Sequence, residues 1–193
     1  MKTEEKIIKL FIDKKAPRTI REIAQHINAD YRITYTATQR LIEKNILLPT
    51  TVGKSTLCSF NHSFYGVEIY QAEEKRKESF LKNKDMKQLY VEVMGKLTSS
   101  LFIWLVFGSY AKGKQTKTSD IDIMCISNDE AFEEQMETLL LSLPLKTHLV
   151  VFNEEEFIRM NTSQKGNVVK EAVENNIVVY GIESYYRLKN VKR

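Results

Sequence analysis

Apolar residues at helical spacing dominate the start of the chain. They predict one helix over residues 3–14, which ends before Pro17 because proline cannot continue a helix. The sequence from Thr19 to Glu22 has the form of a capping box, and the apolar positions that follow predict a second helix over residues 20–27. The chain therefore begins with two short amphipathic helices.

A third helix and a β-hairpin are predicted next. The helix runs to about residue 44, and Asn45 suits the left-handed position that often follows a helix end. Residues 48–52 and 55–60 have strand-like sequences on either side of Gly53-Lys54, which suits a two-residue turn with glycine first. Three helices followed by a hairpin are thus expected.

Two more helices are predicted in the middle of the chain. Residues 67–81 contain the charge-rich stretch 73–78, whose alternating signs suit ion pairs along a solvated helix face. The second of these helices begins at Asp85 and has an apolar side that suits packing on a sheet.

The rest of the chain alternates strands and helices. A run of seven apolar residues, 101–107, breaks at Gly108-Ser109, and after a Lys-rich loop a second apolar strand follows that carries Asp120 and Asp122. Further helices are predicted over residues 129–141 and 167–176 and after Gly181, and further strands over residues 146–152 and 177–180. This alternation is typical of an α/β domain.

Positive charge is concentrated near the N-terminus. Residues 1–65 carry 11 Lys or Arg against 6 Asp or Glu, whereas residues 101–193 carry 11 against 13. The whole chain has a formal net charge of +4. The basic first third indicates a polyanionic partner.

The remaining composition indicates neither a membrane protein nor a disulfide-rich one. Cys58 and Cys125 lie far apart in apolar, strand-like segments and are expected to be buried, reduced thiols. The N-terminus lacks the apolar core of a signal peptide, and the apolar runs are too short to span a bilayer. A cytoplasmic protein is therefore expected.

The strongest chemical pattern surrounds the break in the apolar run. Gly108 has no Cβ, so backbone N–H groups there can approach phosphate oxygens, and Ser109 adds a hydroxyl. Asp120 and Asp122 are two residues apart, so a strand places both carboxylates on one side. Two converging carboxylates require a cation, and hard oxygen ligands favour Mg²⁺. A site for phosphate and metal is predicted.

The spacing of Gly108-Ser109, ten residues and Asp120-x-Asp122 resembles the signature of the DNA polymerase beta-like nucleotidyltransferase superfamily. The resemblance implies that Gly108 and Ser109 contact the phosphates of a nucleoside triphosphate, here expected to be ATP. It also implies that Asp120 and Asp122 are the catalytic carboxylates and hold Mg²⁺ or Mn²⁺.

Other residues of the same loop are candidate nucleotide contacts. Gly113 and Ser119 stand where small, minimal members of the superfamily usually have glycine and serine, and Ser119 is carried over as a nucleotide contact. Lys112 is a candidate phosphate clamp. Lys114 and Lys117 are either further clamps or plain surface lysines.

A third carboxylate, on a later strand, is typical of the superfamily. His148 stands at the corresponding position here. A neutral imidazole can accept a proton or bind a metal, and the alternative is an ordinary histidine on a half-buried strand. The glutamates at 154–156 are expected to begin the next helix, where negative charge is favourable, rather than to replace the missing acid. This departure leaves turnover open and preserves phosphate and metal binding.

The predicted arrangement of three helices and a hairpin resembles a winged helix-turn-helix domain. In that family the third helix enters the DNA major groove and the hairpin tip approaches the backbone. The polar residues of the third helix and of the tip are then the candidate DNA contacts: Arg32, Thr34, Tyr35, Thr38, Gln39, Arg40 and Lys54. The alternative is a solvated face on a domain that serves protein contacts or dimer formation.

These resemblances imply an α+β protein with a winged helix domain (residues 1–65), a connecting helix (66–84) and a nucleotidyltransferase domain with a small mixed sheet (85–193). The expected function is metal-dependent transfer of a nucleotidyl group, AMP from ATP, to an unknown acceptor. Small superfamily members include antitoxin-like proteins that modify a partner toxin, so a partner protein is one candidate acceptor. The alternative is a DNA-binding transcriptional regulator or nucleotide sensor whose nucleotidyltransferase fold has lost catalysis. DNA, nucleotide, a protein acceptor and a second copy of the chain are the expected partners.

Overall fold

The computed structural model describes residues 2–53, 55–116 and 118–191. Two of the candidate lysines, Lys54 and Lys117, lie outside these residues. The chain divides into two compact units, one up to residue 74 and one from residue 75 onwards. The division falls within helix α4 (Val67–Phe80), the helix that the sequence predicts as a connector.

The first unit combines three helices with a three-stranded antiparallel sheet. Its elements in chain order are α1 (Thr3–Asp13), β1 (Arg18–Thr19), α2 (Ile20–Ile27), α3 (Tyr31–Glu43), β2 (Leu47–Val52) and β3 (Ser55–Phe60). Strand β3 lies between β1 and β2 and is antiparallel to both. The predicted helices and hairpin are confirmed. The sequence did not predict β1, because two residues are too few to show a strand periodicity.

Local capping and turn residues set where these elements begin and end. Thr19 Oγ1 accepts a hydrogen bond from Glu22 N, and Thr19 N donates to the Glu22 carboxylate at 2.7 Å, which confirms the predicted capping box. The backbone hydrogen bond from Thr19 holds the pKa of Glu22 below its usual value. Asn45 (φ 57°) adopts the left-handed conformation predicted for it, and Gly53, at the predicted hairpin turn, has a positive φ of 60°.

The prediction that Thr34 and Thr38 lie on the polar surface of α3 is wrong. Both side chains are fully buried. They lie on the same side of the helix as the buried Ala37 and Leu41, because residues three and four apart are neighbours on a helix. Thr34 Oγ1 donates to the carbonyl oxygen of Asp30 at 2.8 Å, so its hydroxyl is satisfied within the helix and tolerates burial.

The second unit is built on a four-stranded mixed sheet. Its strands are β4 (Ile103–Phe107), β5 (Ile121–Ile126), β6 (Thr147–Phe152) and β7 (Ile177–Tyr180), in the order β6-β5-β4-β7. Strands β5 and β6 are parallel, and the β4–β5 and β4–β7 pairs are antiparallel. The helices are α5 (Lys84–Lys96), α6 (Gly108–Ala111), α7 (Phe132–Leu141), α8 (Glu154–Thr162), α9 (Val168–Glu174) and α10 (Ile182–Lys189). The predicted α+β class with a small mixed sheet is confirmed.

The sheet of the second unit is covered on both faces. Every residue of β4 is buried, which explains its unbroken apolar sequence. One face packs on α5 and α7 through alternate strand residues, including Trp104, Val106, Ile121 and Ile123. Residues between these point to the opposite face, so Asp122 lies on the side away from that cluster.

The prediction that the charge-rich stretch of α4 forms a solvated helix face is wrong in part. Glu73 and Arg76 are both buried. One guanidinium nitrogen of Arg76 donates to the carbonyl oxygen of Asn176 at 2.8 Å, which offsets part of the cost of burying the charge. Alternation of charge along a helix does not reveal which side of the helix is covered.

Predictions about the cysteines hold. Cys58 and Cys125 are free and buried, and burial raises the pKa of both thiols. Neither thiol is therefore a reactive nucleophile. Among the residues that the structure describes, no helix is both long and apolar enough to cross a bilayer.

Gly181, at the start of α10, offers a test of the packing between that turn and β4. Its φ is 75°, and an added Cβ would lie 2.6 Å from the carbonyl oxygen of Phe102 and 3.1 Å from Cα of Ile103. At Gly113, φ is 62° and no atom lies within 4 Å of an added Cβ. We expect Gly181→Ala to lower the free energy of unfolding by about 2 kcal/mol more than Gly113→Ala, because backbone atoms must move.

Urea denaturation followed by the fluorescence of the single tryptophan, Trp104, measures both losses. Both variants share the strain of a positive φ, so their difference reports the close approach alone. Equal losses would contradict the packing described here.

Candidate active site

The candidate site lies where β4 ends. The chain leaves the buried strand at Phe107 and enters the one-turn helix α6 at Gly108, whose φ is 65°. The sequence predicts a turn at this point, and the structure has a short helix there instead. Ser109 follows and is half-buried. Both candidate phosphate contacts therefore lie at the end of a rigid central strand.

Gly108 is in contact with Asp122. Strands β4 and β5 pair so that Phe107 lies opposite Asp122. A Cβ added to Gly108 would overlap Oδ2 of Asp122 and lie 2.9 Å from its Cγ. The missing side chain of Gly108 therefore provides the space for the carboxylate. This contact brings the candidate phosphate turn and a candidate metal ligand to one place.

His148 lies beside the same carboxylate. Strand β6 runs parallel to β5 with His148 opposite Asp122, and His148 Nδ1 lies 3.5 Å from Asp122 Oδ1. The imidazole is 63% exposed and the Asp122 side chain 29%. Within the described part of the chain, the imidazole has no hydrogen-bond partner. The register places His148 next to Asp122, and its correspondence to a third carboxylate stays a prediction.

Asp120 completes the candidate carboxylate pair. It is exposed and precedes β5 by one residue, so it lies at the strand's beginning rather than within it. No group of three or more His, Cys, Asp or Glu side chains in residues 2–53, 55–116 and 118–191 could hold a metal ion by itself. Asp120 and Asp122 can supply two carboxylates, which is a common number for Mg²⁺ that also binds substrate phosphates.

The loop between α6 and β5 holds the other nucleotide candidates. Thr116 N donates to Ser119 Oγ at 2.9 Å, so the Ser119 hydroxyl shapes the loop, and its contact with nucleotide stays a prediction. Lys112 Nζ lies 3.4 Å from Glu171 Oε1 on α9. Such an exposed ion pair is weak, so Lys112 can exchange its partner for a phosphate oxygen.

The glutamates that follow β6 do not belong to the site. Glu154 is the first residue of α8, and Asn153 and Glu156 form a capping box at its start. The prediction that these residues begin a helix is confirmed. Their charge is favourable at a helix N-terminus, where backbone N–H groups point outward.

The candidate DNA-binding face of α3 is only partly as predicted. Arg32, Tyr35 and Arg40 are exposed and Gln39 is half-buried. Arg40 forms an exposed ion pair with Glu4, with 3.5 Å between Nη1 and Oε1. Thr36, which was not among the predicted contacts, is exposed midway between Arg32 and Arg40. Its spacing of four residues from each arginine would have identified it.

Comparison with known proteins shows a similarity in the second unit. Residues 94–185 match the family model described as "Polymerase beta, Nucleotidyltransferase". Gly108, Ser109, Asp120, Asp122 and His148 all lie within the matched residues. This part of the second unit is therefore similar to nucleotidyltransferases of the polymerase beta type. No curated protein and no solved structure matched the chain.

The contact between Gly108 and Asp122 predicts a selective effect of a methyl group. Gly108→Ala forces the Asp122 carboxylate out of its position, whereas Gly53→Ala, at a similar φ of 60°, meets no atom within 4 Å. We expect Gly108→Ala to weaken divalent-dependent ATP binding by more than about tenfold and Gly53→Ala to leave it unchanged.

Isothermal titration calorimetry measures the affinities, and circular dichroism checks that both variants are folded. Wild-type affinity in folded Gly108→Ala would mean that the position of Asp122 does not matter for binding.

Proposed function

We propose that the second unit binds ATP with a divalent cation and transfers AMP to an acceptor hydroxyl. The observation that carries this proposal is the contact between Gly108 and Asp122. This contact places a carboxylate suited to a cation directly beside a turn suited to phosphate, which is the arrangement that a metal-bound triphosphate needs. The family match over residues 94–185 supports nucleotidyl transfer as the chemistry.

The residues present fit a divalent cation that is held jointly with the nucleotide. Asp120 and Asp122 provide hard oxygen ligands, which Mg²⁺ and Mn²⁺ accept. Two carboxylates leave coordination positions for phosphate oxygens and water. When bound, the cation neutralises charge on the triphosphate and polarises the phosphorus under attack.

The chain's own residues would then position the reactants. Backbone N–H groups at Gly108 and the Ser109 hydroxyl bind the phosphates, and Lys112 adds a positive charge. The acceptor oxygen forms a bond to the α-phosphorus, the bond from that phosphorus to the β-phosphate bridging oxygen breaks, and pyrophosphate leaves. The proton of the acceptor passes to solvent or to His148, which is exposed beside Asp122.

We also propose that the first unit is a winged helix domain that binds DNA. Support comes from the order of its elements, in which α3 is followed by the β2–β3 hairpin, and from the short β1 that pairs with β3. The excess of 11 basic over 6 acidic residues in positions 1–65 favours a polyanion as its partner.

The exposed side of α3 is the proposed recognition surface. Arg32, Thr36 and Arg40 form a stripe along it, flanked by Tyr35 and Gln39. Arginine and glutamine suit the edges of bases, whereas threonine and tyrosine suit phosphates. Lys54, outside the described residues, stays a candidate contact at the hairpin tip. Thr34 and Thr38 are excluded because they are buried.

The second candidate function is a DNA-binding transcriptional regulator whose nucleotidyltransferase domain senses nucleotide without turning it over. His148 in the expected position of a third carboxylate favours it. Transfer of label from the α-phosphate of ATP to a protein, nucleic acid or small-molecule acceptor would identify the enzyme, including an antitoxin-like enzyme that modifies a partner protein. Binding of ATP without such transfer, together with nucleotide-dependent DNA affinity, would identify the sensor.

A homodimer is the proposed form on DNA. Winged helices and related domains commonly bind two half-sites as symmetric pairs. The exposed apolar side chains of Tyr31 and Ile33 on α3 are compatible with a further protein contact in the first unit. The stoichiometry of the DNA complex measures this directly.

Removing one charge from the carboxylate pair tests the nucleotide site. We expect Asp122→Asn, which keeps the shape of the side chain, to weaken divalent-dependent ATP binding by more than about tenfold. Asp85→Asn, which neutralises an exposed carboxylate on α5, is the matched control and should bind as the wild type does. Calorimetric titration with ATP, with and without Mg²⁺ or Mn²⁺, gives the affinities. Equal affinities of the two variants would refute the assignment of the site.

Paired charge removals test the DNA surface. We expect Arg32→Ala/Arg40→Ala to weaken DNA binding. The plot of log affinity against log salt concentration should become less steep by about 2, because each arginine that binds a phosphate releases about one counterion. Lys82→Ala/Lys87→Ala removes the same charge from exposed positions of the second unit.

Fluorescence anisotropy with labelled duplex DNA at several salt concentrations provides the measurement. A similar loss in both double variants would show that net charge, not the α3 surface, drives the interaction.

A further inference from the structure

We propose that His148 is a direct ligand of the divalent cation, together with Asp122, and that the site therefore prefers Mn²⁺ or a similar first-row transition cation over Mg²⁺. This inference rests on the proposed nucleotide site and specifies its cofactor. The imidazole of His148 then binds the cation and does not act as the general base.

The distance between the two side chains suits ligands of one cation better than a hydrogen bond. His148 Nδ1 and Asp122 Oδ1 are 3.5 Å apart, beyond the usual range of about 2.7–3.2 Å for a nitrogen–oxygen hydrogen bond. Two ligand atoms that each lie about 2.1 Å from a metal are separated by about 3.0–3.5 Å when they occupy adjacent coordination positions. The observed separation therefore leaves room for a cation next to both atoms.

The imidazole of His148 and Oδ1 of Asp122 are both available to bind a cation. The described residues offer the imidazole no hydrogen bond, and its 63% exposure makes it reachable from solvent. The other oxygen of Asp122, Oδ2, lies against Gly108, so Oδ1 is the oxygen that faces the histidine. The in-register pairing of parallel strands β5 and β6 places the two residues side by side.

The chemistry of the ligands sets the choice of cation. Mg²⁺ strongly prefers oxygen ligands and gives up water reluctantly, so an imidazole in place of a carboxylate weakens its binding. First-row transition cations accept imidazole nitrogen readily, and Mn²⁺ also accepts carboxylate and phosphate oxygens. A site formed by Asp122, His148 and the nucleotide phosphates is thus better suited to Mn²⁺.

Electron spin echo spectroscopy of bound Mn²⁺ tests direct ligation. The full chain is prepared with natural-abundance and with ¹⁵N-labelled histidine and is mixed with Mn²⁺ and a non-hydrolysable ATP analogue. We expect nitrogen modulation that changes on labelling, which separates a protein imidazole from the adenine nitrogens. The modulation should disappear in His148→Ala and His148→Asp and persist in His26→Ala, which removes an exposed histidine from α2 of the first unit.

Calorimetry on the same proteins tests the preference. We expect Mn²⁺ to support ATP-analogue binding at least tenfold more tightly than Mg²⁺ in the wild type, and His148→Asp to remove most of that difference by improving the affinity with Mg²⁺. A merely structural role for His148 would change both affinities alike.

Three outcomes would overturn the inference. Mn²⁺ bound through oxygen alone, without histidine modulation, would refute imidazole ligation and leave the proposed nucleotide site intact. An unchanged Mn²⁺-to-Mg²⁺ ratio in His148→Asp would refute the claim about preference. Absence of any cation-dependent binding of the analogue would refute the inference and the proposed nucleotide site together.

Discussion

The candidate site depends on one steric constraint, the absence of a side chain at Gly108. Because no Cβ is present, the Asp122 carboxylate lies directly against the turn that follows β4. That contact fixes one oxygen toward the turn and the other toward His148 on the neighbouring strand. The candidate phosphate turn, the candidate metal ligand and an imidazole thus meet at the end of the buried strand β4.

The rigidity of this edge comes from its setting in the sheet. Strands β4, β5 and β6 are neighbours, and each contributes one part of the site through its own register. Helices cover both faces of the sheet, so the backbone under the site has little freedom to move. The proposed chemistry therefore requires few movements from Gly108 and Asp122, and the exposed imidazole and Lys112 provide the adaptable contacts.

The residues of the candidate site were easier to predict from the sequence than the burial of the residues elsewhere in the fold. The spacing from Gly108 to Asp122 was enough to predict that the turn and this carboxylate lie together, whereas Asp120 precedes β5 and its convergence with Asp122 stays a prediction. Burial depends on long-range packing, which no local pattern contains. Thr34 and Thr38 were therefore predicted on the surface of α3, and Arg76 on a solvated face, although all three are buried. The contact between His148 and Asp122 needed the parallel register of two strands that are distant in sequence.

The most direct test of the account is a crystal structure of the protein with Mn²⁺ and a non-hydrolysable ATP analogue, in which anomalous scattering locates the cation. We expect a manganese peak within bonding distance of Asp122 and of the analogue's phosphates, with the phosphates lying over Gly108 and Ser109. A nucleotide bound elsewhere, or a cation remote from Asp122, would contradict it.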